Sequence, residues 1–395
     1  MQHTLSPFVP GTRKRGSLIV EGWRFLPHSY ALPNQYQCLE IMRRGDVELY
    51  HRDAPYFAKH WQPLAGLLTN EAENILRGIP QPADDQAADV TLRMRFPLDF
   101  SSSRSQRTYV WGTAELGIAP ASFVAGGIPL GKACAQADVS IITPSQWSRD
   151  GFVRSGVAAG RVHVVPLGVD SDLFKPADAN VRTELRRRLG WDGFVFLNVG
   201  ALTGNKGIDI LLRSFAEVVR RRPQALLVLK GLDSLYGSQT VLERMIRALG
   251  ERERSLVMPR LRYCGQTLSG AEMACFYQAA DAYVAPYRGE GFNLPALEAA
   301  SCGLPVICTK GGPTDDFTSS SFARPIQSRS AAVVVEPGCM GQWLEPDENH
   351  LVELMDSTFA QPDFVSQARQ TGPAFVRANF TWERVVDRLL QILFP

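Results

Sequence analysis

Two glutamates, Glu290 and Glu298, stand in the stretch GEGFNLPALEAASCGLPVICTKGG that runs from Gly289 to Gly312. Glu290 sits in a loop bounded by glycines. Pro295 follows at a place that suits the first turn of a helix, where its missing N–H would be unpaired anyway. Gly303 suits the position just past the end of that helix, and an apolar strand over residues 305–308 comes next. A loop of this kind points backbone N–H groups and the positive end of a helix dipole at one spot, as an anion such as phosphate requires. Glu298 lies about one turn into the helix, so it can face the same pocket as Glu290. An anion site with two acidic acceptors predicts a phosphorylated ligand that also carries hydroxyls, and nucleotide-sugars are such molecules. Glutamate pairs at this spacing are also common on solvated surfaces, so the rest of the chain has to agree.

The elements that must position these residues alternate short apolar strands with amphipathic helices in both halves of the chain, the pattern of parallel α/β sheets. At 395 residues the chain exceeds what one core ordinarily serves, and two domains are expected. In the first half, residues 17–21, 47–50, 90–95, 108–111, 139–143 and 162–165 read as strands. Asn34 is placed to cap a helix ending at Arg44, residues 64–76 read as helical, and Ser145 suits the cap of a helix over 146–155. In the second half, Phe194–Val199 is a continuous apolar run, as in a strand buried on both faces. Lys206 follows in a Gly-rich loop, and Ile208–Arg221 has apolar residues at helical spacing. Residues 225–230, 239–249, 261–264, 271–280 and 282–285 continue the alternation. The turn-rich PLGVDSDLFKP, residues 166–176, reads as a linker. Near the carboxyl end, Thr381 is placed to cap a helix with Trp382, Val385, Val386, Leu389, Leu390 and Ile392 along one broad side.

Composition excludes several classes. A formal net charge of +2 gives no global drive toward nucleic acid. The basic runs at residues 186–188 and 220–222 precede Gly190 and Pro223 and read as solvated helix ends, where cations complement the dipole. Arg13, Lys14 and Arg15 form a third run. Seven cysteines without C-x-x-C or His spacing argue against a disulfide or zinc framework and for a reducing compartment. The N-terminal MQHTLSPFVPGTRKRG has no apolar core before its basic cluster and does not read as a secretory signal. No apolar run approaches the roughly 18 residues that a membrane span needs. A cytoplasmic protein is expected, with peripheral contact to a membrane left open.

Four segments together resemble the group 1 (family four) retaining glycosyltransferases of the GT-B fold. ADVSIITPSQWSRDGF with RVHVVPLGVDSDLFKP is similar to the end of that family's first domain and its linker. LNVGALTGNKGIDILLRSFAEVV resembles its phosphate-binding loop, and YCGQTLSGAEMACFYQAADAYVAPY the elements that precede its E-x7-E signature. EGFNLPALEAASCGLPVI resembles the signature itself. The likeness covers roughly half of the chain, nearly all of it from residue 137 onward. It implies an α/β protein with two Rossmann-like domains facing a cleft: an acceptor-side domain over 1–170 and a nucleotide-sugar domain over 171–375. Residues 376–395 would form a terminal helix that packs back on the first domain. It also implies roles. Gly200 is the glycine of the phosphate loop, and Lys206 pairs with the donor diphosphate. Glu290 lies near the transferred sugar, and Lys206 and Glu290 carry catalysis. Glu298 holds the ribose hydroxyls, while Gly291, Phe292, Asn293 and Leu294 offer backbone N–H groups.

The chain departs from the pattern in places. The family commonly has an arginine just after the glycine of the phosphate loop, and this chain has Ala201. Arg288 or Lys230 is expected to replace that cation, with Arg288 preferred for its planar fork. The glycine pair of the first loop is absent, and RFLPHSYALPNQYQ stands there instead. His28 and Asn34 in that stretch, and Glu115 in YVWGTAE, are the acceptor-side residues, while aromatic residues 56–61 either stack on a sugar or, the preferred reading, form core. The resulting expectation is sugar transfer with retention from a nucleotide-sugar to a glycan, lipid-linked or other hydroxyl acceptor. No metal, cofactor or nucleic acid is expected. The alternatives are a catalytically silent binding subunit and a sugar phosphorylase or nucleotide-sugar epimerase on the same fold.

Overall fold

The computed structural model describes residues 14–395. Arg13 and the stretch read above for a signal peptide, up to residue 13, lie outside the described residues. The chain forms two compact units: residues up to Gly168 together with Trp382–Pro395, and Val169–Thr381.

The first unit is built on a parallel sheet of six strands: β1 (Gly16–Gly22), β2 (Val47–Asp53), β3 (Val90–Met94), β4 (Arg107–Trp111), β5 (Ser140–Thr143) and β6 (Val162–Val164). Their order is β2-β1-β3-β4-β5-β6. Leu18, Ile19 and Val20 of β1 are all buried, so this strand is covered on both faces. The helix Gln146–Arg154 starts where expected, with Ser145 Oγ accepting the Ser148 N–H at 3.2 Å. The reading of Asn34 as a cap is corrected. The helix already begins at Ala31 after Tyr30, and Asn34 lies inside it with no exposed surface. The helix expected over 64–76 forms as Asn70–Gly78, capped by Thr69.

The second unit carries another six-stranded parallel sheet: β7 (Phe194–Val199), β8 (Ala225–Lys230), β9 (Leu261–Cys264), β10 (Ala282–Ala285), β11 (Val306–Thr309) and β12 (Ala323–Ile326). The order β12-β11-β10-β7-β8-β9 reverses between β7 and β10. That reversal opens a crevice at the carboxyl ends of the two strands, where open α/β sheets bind ligands. One face of the sheet, with Phe196, Leu227, Leu229, Val284 and Ile307, packs on Leu211, Leu212, Phe215 and Val218 of the helix Ile208–Arg221. Residues 313–375 carry no expected element, yet they supply β12 and an antiparallel hairpin of β13 (Ser328–Glu336) and β14 (Cys339–Pro346). The helices Glu348–Ala360 and Pro362–Asn379 complete this stretch.

The second unit ends at Thr381, just after Phe380, whose N–H closes the preceding helix on Val376 O. The last helix, Trp382–Leu393, starts directly after Thr381 as expected, six residues past the segment boundary drawn at 376, and belongs to the first unit. Trp382 stacks on Tyr36 at 5.1 Å and 2°. Arg44 pairs with Asp387 at 2.6 Å, and Tyr109 donates to Ile392 O at 3.0 Å. Leu393 is buried in the place expected of Ile392. All seven cysteines are free. Among the described residues, no helix is long and apolar enough to cross a membrane.

Candidate active site

Two loops leave the second sheet on either side of its switch point, one after β7 and one after β10. In the first, Gly204–Lys206 form a single tight turn that ends at Gly207, with φ +67°. A Cβ on Gly207 would lie 1.9 Å from the Pro286 carbonyl oxygen, so only glycine lets the two loops approach this closely. Asn205 laces them together. Its carbonyl accepts the N–H groups of Arg288 and Gly289 at 2.7 and 3.2 Å, and its amide donates to Gly289 O at 2.9 Å. Lys206 Nζ then meets Glu290 Oε1 at 2.8 Å, and both side chains keep a partly exposed edge. An ammonium and a carboxylate thus converge at the mouth of the switch point.

The helix Leu294–Ser301 follows. Asn293, at φ +71°, caps it by accepting the Ala296 N–H at 3.2 Å, and it also accepts from Tyr283 Oη at 3.3 Å. Asparagine tolerates this left-handed backbone better than most residues. Pro295 occupies the first turn as expected. Gly303, at φ +79°, closes the helix, with its own N–H on Ala300 O and that of Leu304 on Ala299 O. Phe292 is buried 4.8 Å from the Phe317 ring, so its side chain packs the loop while its backbone stays with Gly291 and Leu294 at the helix start. Glu298 is partly buried. Burial pushes its carboxyl up to about 7, against a lowering hydrogen bond from Tyr277 Oη at 2.7 Å. Tyr283 feels both carboxylates: burial, then Glu290 and Glu298, raise its phenol far above the ordinary value. The fold therefore gathers Gly200, Lys206, Glu290, Gly291, Phe292, Asn293, Leu294 and Glu298 around the carboxyl ends of β7 and β10.

Arg288 corrects an expectation. It lies in the same loop, but its guanidinium is spent inside the protein and offers no fork to a ligand. Nη1 donates to Asp209 Oδ1 at 2.6 Å and Gly204 O at 3.2 Å, and Nη2 to Asp209 Oδ2 at 2.9 Å and Glu345 Oε1 at 3.0 Å. Nε donates to Glu345 Oε2 at 3.0 Å. All five N–H donors are placed. Arg288 is a positioning residue that ties the Lys206 turn, the start of the helix Ile208–Arg221 and β14. Sequence reasoning passed over Asn205, Tyr277, Tyr283, Asp209 and Glu345. Only the Gly-rich context of Asn205 hints at its part.

In the first unit, His28 and Glu115 lie in loops that follow β1 and β4. His28 Nδ1 accepts the Tyr30 N–H at 3.1 Å, which leaves the other ring nitrogen to carry the proton in the neutral form. Burial beside Trp23 and Trp61, at 5.1 and 5.2 Å, pulls its pKa down to about 4. The Glu115 carbonyl accepts from Trp147 Nε1 at 3.0 Å. Asn34 does not join them at a surface. Its amide donates to Trp23 O at 2.9 Å, lies 3.0 Å from His51 Nε2, and is wholly buried. Trp61 is core, as expected, whereas Phe57 is exposed.

Residues 193–332 match the family described as glycosyl transferases group 1. That match falls within the second unit and holds Lys206, Glu290 and Glu298. Mannosylfructose-phosphate synthase of Agrobacterium fabrum is 28% identical over 240 residues, covering 60% of this chain and 48% of that protein. D-inositol 3-phosphate glycosyltransferase 1 of Catenulispora acidiphila is 29% identical over 286 residues, 70% of this chain and 61% of that one. The chain thus spans about half to three-fifths of the length of these relatives. The crystal structure of HepE from Anabaena in complex with UDP-glucose aligns with 96% of this chain and 99% of that one, at a TM-score of 0.67 and 14% identity. The two units therefore have the GT-B fold.

Proposed function

We propose that this chain transfers a sugar from a nucleoside-diphosphate sugar to an acceptor hydroxyl with retention of configuration, and that it needs neither a metal nor a cofactor. The observation that carries the reading is the Lys206–Glu290 pair at the switch point, beside the helix that bears Glu298. Lys206 and the helix start supply positive charge where a leaving diphosphate develops negative charge. Glu290 orients the sugar hydroxyls, and Glu298 accepts from the ribose. The sugar C1–O bond to the phosphate breaks, and the acceptor oxygen bonds C1 on the same face. The acceptor proton passes to the departing phosphate oxygen, so no protein nucleophile is required. The second unit takes the donor, and the first, with His28 and Glu115, takes a glycan, lipid-linked or other hydroxyl acceptor.

Incubation with UDP-, GDP- and ADP-sugars and a panel of glycan and other hydroxyl acceptors tests this directly. Release of one nucleoside diphosphate and an α-configured product from an α-linked donor are expected, unchanged by EDTA. A β-configured product would overturn retention, and loss of turnover in EDTA would overturn metal independence. Ala201 favours a second reading, nucleotide binding without turnover. It predicts binding of the diphosphate with no release from any donor.

Glu298 adds a pH signature. A carboxyl with a pKa near 7 is mostly protonated at pH 6, whereas ribose hydroxyls donate best to the carboxylate. Affinity for UDP-glucose, which does not itself titrate in this range, should rise roughly ten-fold between pH 6 and 8. In Glu298→Gln it should be weaker and flat. Because the folded pKa lies above the unfolded one, ionisation of Glu298 costs stability as pH rises from about 4.5 through 7. Glu298→Gln should therefore melt later than wild type at pH 8, by up to about 3 kcal/mol. Calorimetry reads both effects. A wild-type affinity independent of pH would remove Glu298 from the ribose.

A further inference from the structure

The sheet of the second unit holds a second cation, on the strand beside β7, from which the Lys206 loop leaves. Lys230, the last residue of β8, is only 5% exposed. Its Nζ donates to the Gly231 carbonyl, and among the described residues no carboxylate lies within ion-pair distance. Asp233, whose charge it feels, is already held by Tyr263 Oη at 2.6 Å and the Gln239 N–H at 2.7 Å. An ammonium has three donors, and a buried one without a counter-ion is costly. Burial accordingly draws its pKa below the usual lysine range. A cation kept under these conditions calls for an anion that arrives from outside.

The register shows where that anion would lie. Lys230 pairs with Val199, and Leu197 with Val228 on one side and Tyr283 on the other. Paired residues of parallel strands share a face. Lys230 therefore shares the face of Tyr283, whose hydroxyl reaches the Asn293 cap, opposite the face packed by Phe196, Leu227 and Leu229. Lys230 O accepts the Gly200 N–H at 3.0 Å, so its backbone adjoins the phosphate loop. A Cβ on Gly200 would meet nothing within 4 Å, which leaves open ground beside the lysine. The next residue, Ala201, brings no charge.

We propose that Lys230 supplies the second positive charge to the donor diphosphate, rising from the neighbouring strand in place of a cation at position 201. The inference rests on the donor reading above. Phosphate oxygens accept charge-assisted hydrogen bonds from an ammonium as from a guanidinium, though without the planar fork. An arginine at 201 beside an unpaired Lys230 would set two like charges together, so one of the two positions has to be neutral.

The test is calorimetric titration with UDP, GDP and ADP and with the matching nucleosides. For the diphosphate that binds wild type most tightly, Lys230→Met should weaken binding about 10- to 100-fold, with the nucleoside unchanged within about two-fold. Lys230→Gln should behave likewise, and it keeps the test open should the methionine variant misfold. Ala201→Arg added to Lys230→Met should recover about ten-fold or more. Diphosphate binding by both Lys230 variants at wild-type strength would overturn the proposal. So would a parallel loss of nucleoside binding, which marks a structural role. Wild type that binds none of the three diphosphates would instead overturn the donor reading itself.

Discussion

Lys206→Ala should lower sugar transfer about 100- to 1,000-fold, the scale of losing one preorganised electrostatic contact to a developing anion. The argument is geometric. The turn that carries Lys206 is pinned to the loop after β10 by Asn205, and Gly207 admits no side chain. The ammonium is therefore held before substrate arrives. Its partner Glu290 retains an exposed edge, so the variant should fold and melt within about 1–2 kcal/mol of wild type. Glu115→Ala, on the proposed acceptor side, should cost less than about ten-fold, because one hydrogen bond to a neutral hydroxyl is worth only about 0.5–1.5 kcal/mol. The measurement is turnover with whichever nucleotide-sugar the incubation shows to be the donor, alongside thermal melting. A Lys206→Ala enzyme that transfers sugar at the wild-type rate would place the phosphate loop elsewhere.

Arg288→Ala should act mainly through stability. It leaves Asp209 and Glu345 without their shared cation and frees the Gly204 carbonyl, next to the Lys206 turn. Breaking a buried pair costs about 3–5 kcal/mol, and partial exposure of these carboxylates lowers that to about 2–4. Arg288→Lys should rescue little, because one ammonium cannot bridge two carboxylates and a carbonyl with a fixed fork. Burial pushes the Asp209 carboxyl up, but the hydrogen bond and charge of Arg288 outweigh this and leave it below its usual value. The folded pKa is depressed, so the clamp's contribution is present at neutral pH and fades as pH falls through the carboxylate range. Denaturant melts at pH 7 and pH 3.5 should show the variant's deficit shrinking at the lower pH. A full-strength Arg288→Lys protein would mean that the clamp holds nothing.

Much of the site could be read from local chemistry. Ser145 as a cap, Pro295 in a first turn and Gly303 after a helix are decisions made by a few neighbouring atoms, so residue type announces them. The apolar runs of β7, β8 and β10 are equally local, because strands buried on both faces admit little else. Lys206 and Glu290 stood out because glycines and a helix start surround them. Asn34 misled because an asparagine before an apolar helical stretch reads as a cap, whereas here the first loop turns helical three residues earlier and draws the amide onto Trp23 and His51.

The roles of Arg288 and Lys230 depended on residues far along the chain. Arg288 has partners 79 and 57 positions away, and the hairpin that supplies Glu345 carries its apolar run over partly exposed positions with no clean alternation of burial. A side chain that could reach either solvent or a distant carboxylate has no local preference that sequence can reveal. Sequence by itself determined which residues could bind an anion and a sugar, because backbone geometry and charge are properties of short segments. The tertiary structure alone decided which of two cations is already taken and which is left buried without a counter-ion, because that depends on what the folded chain brings within reach of each.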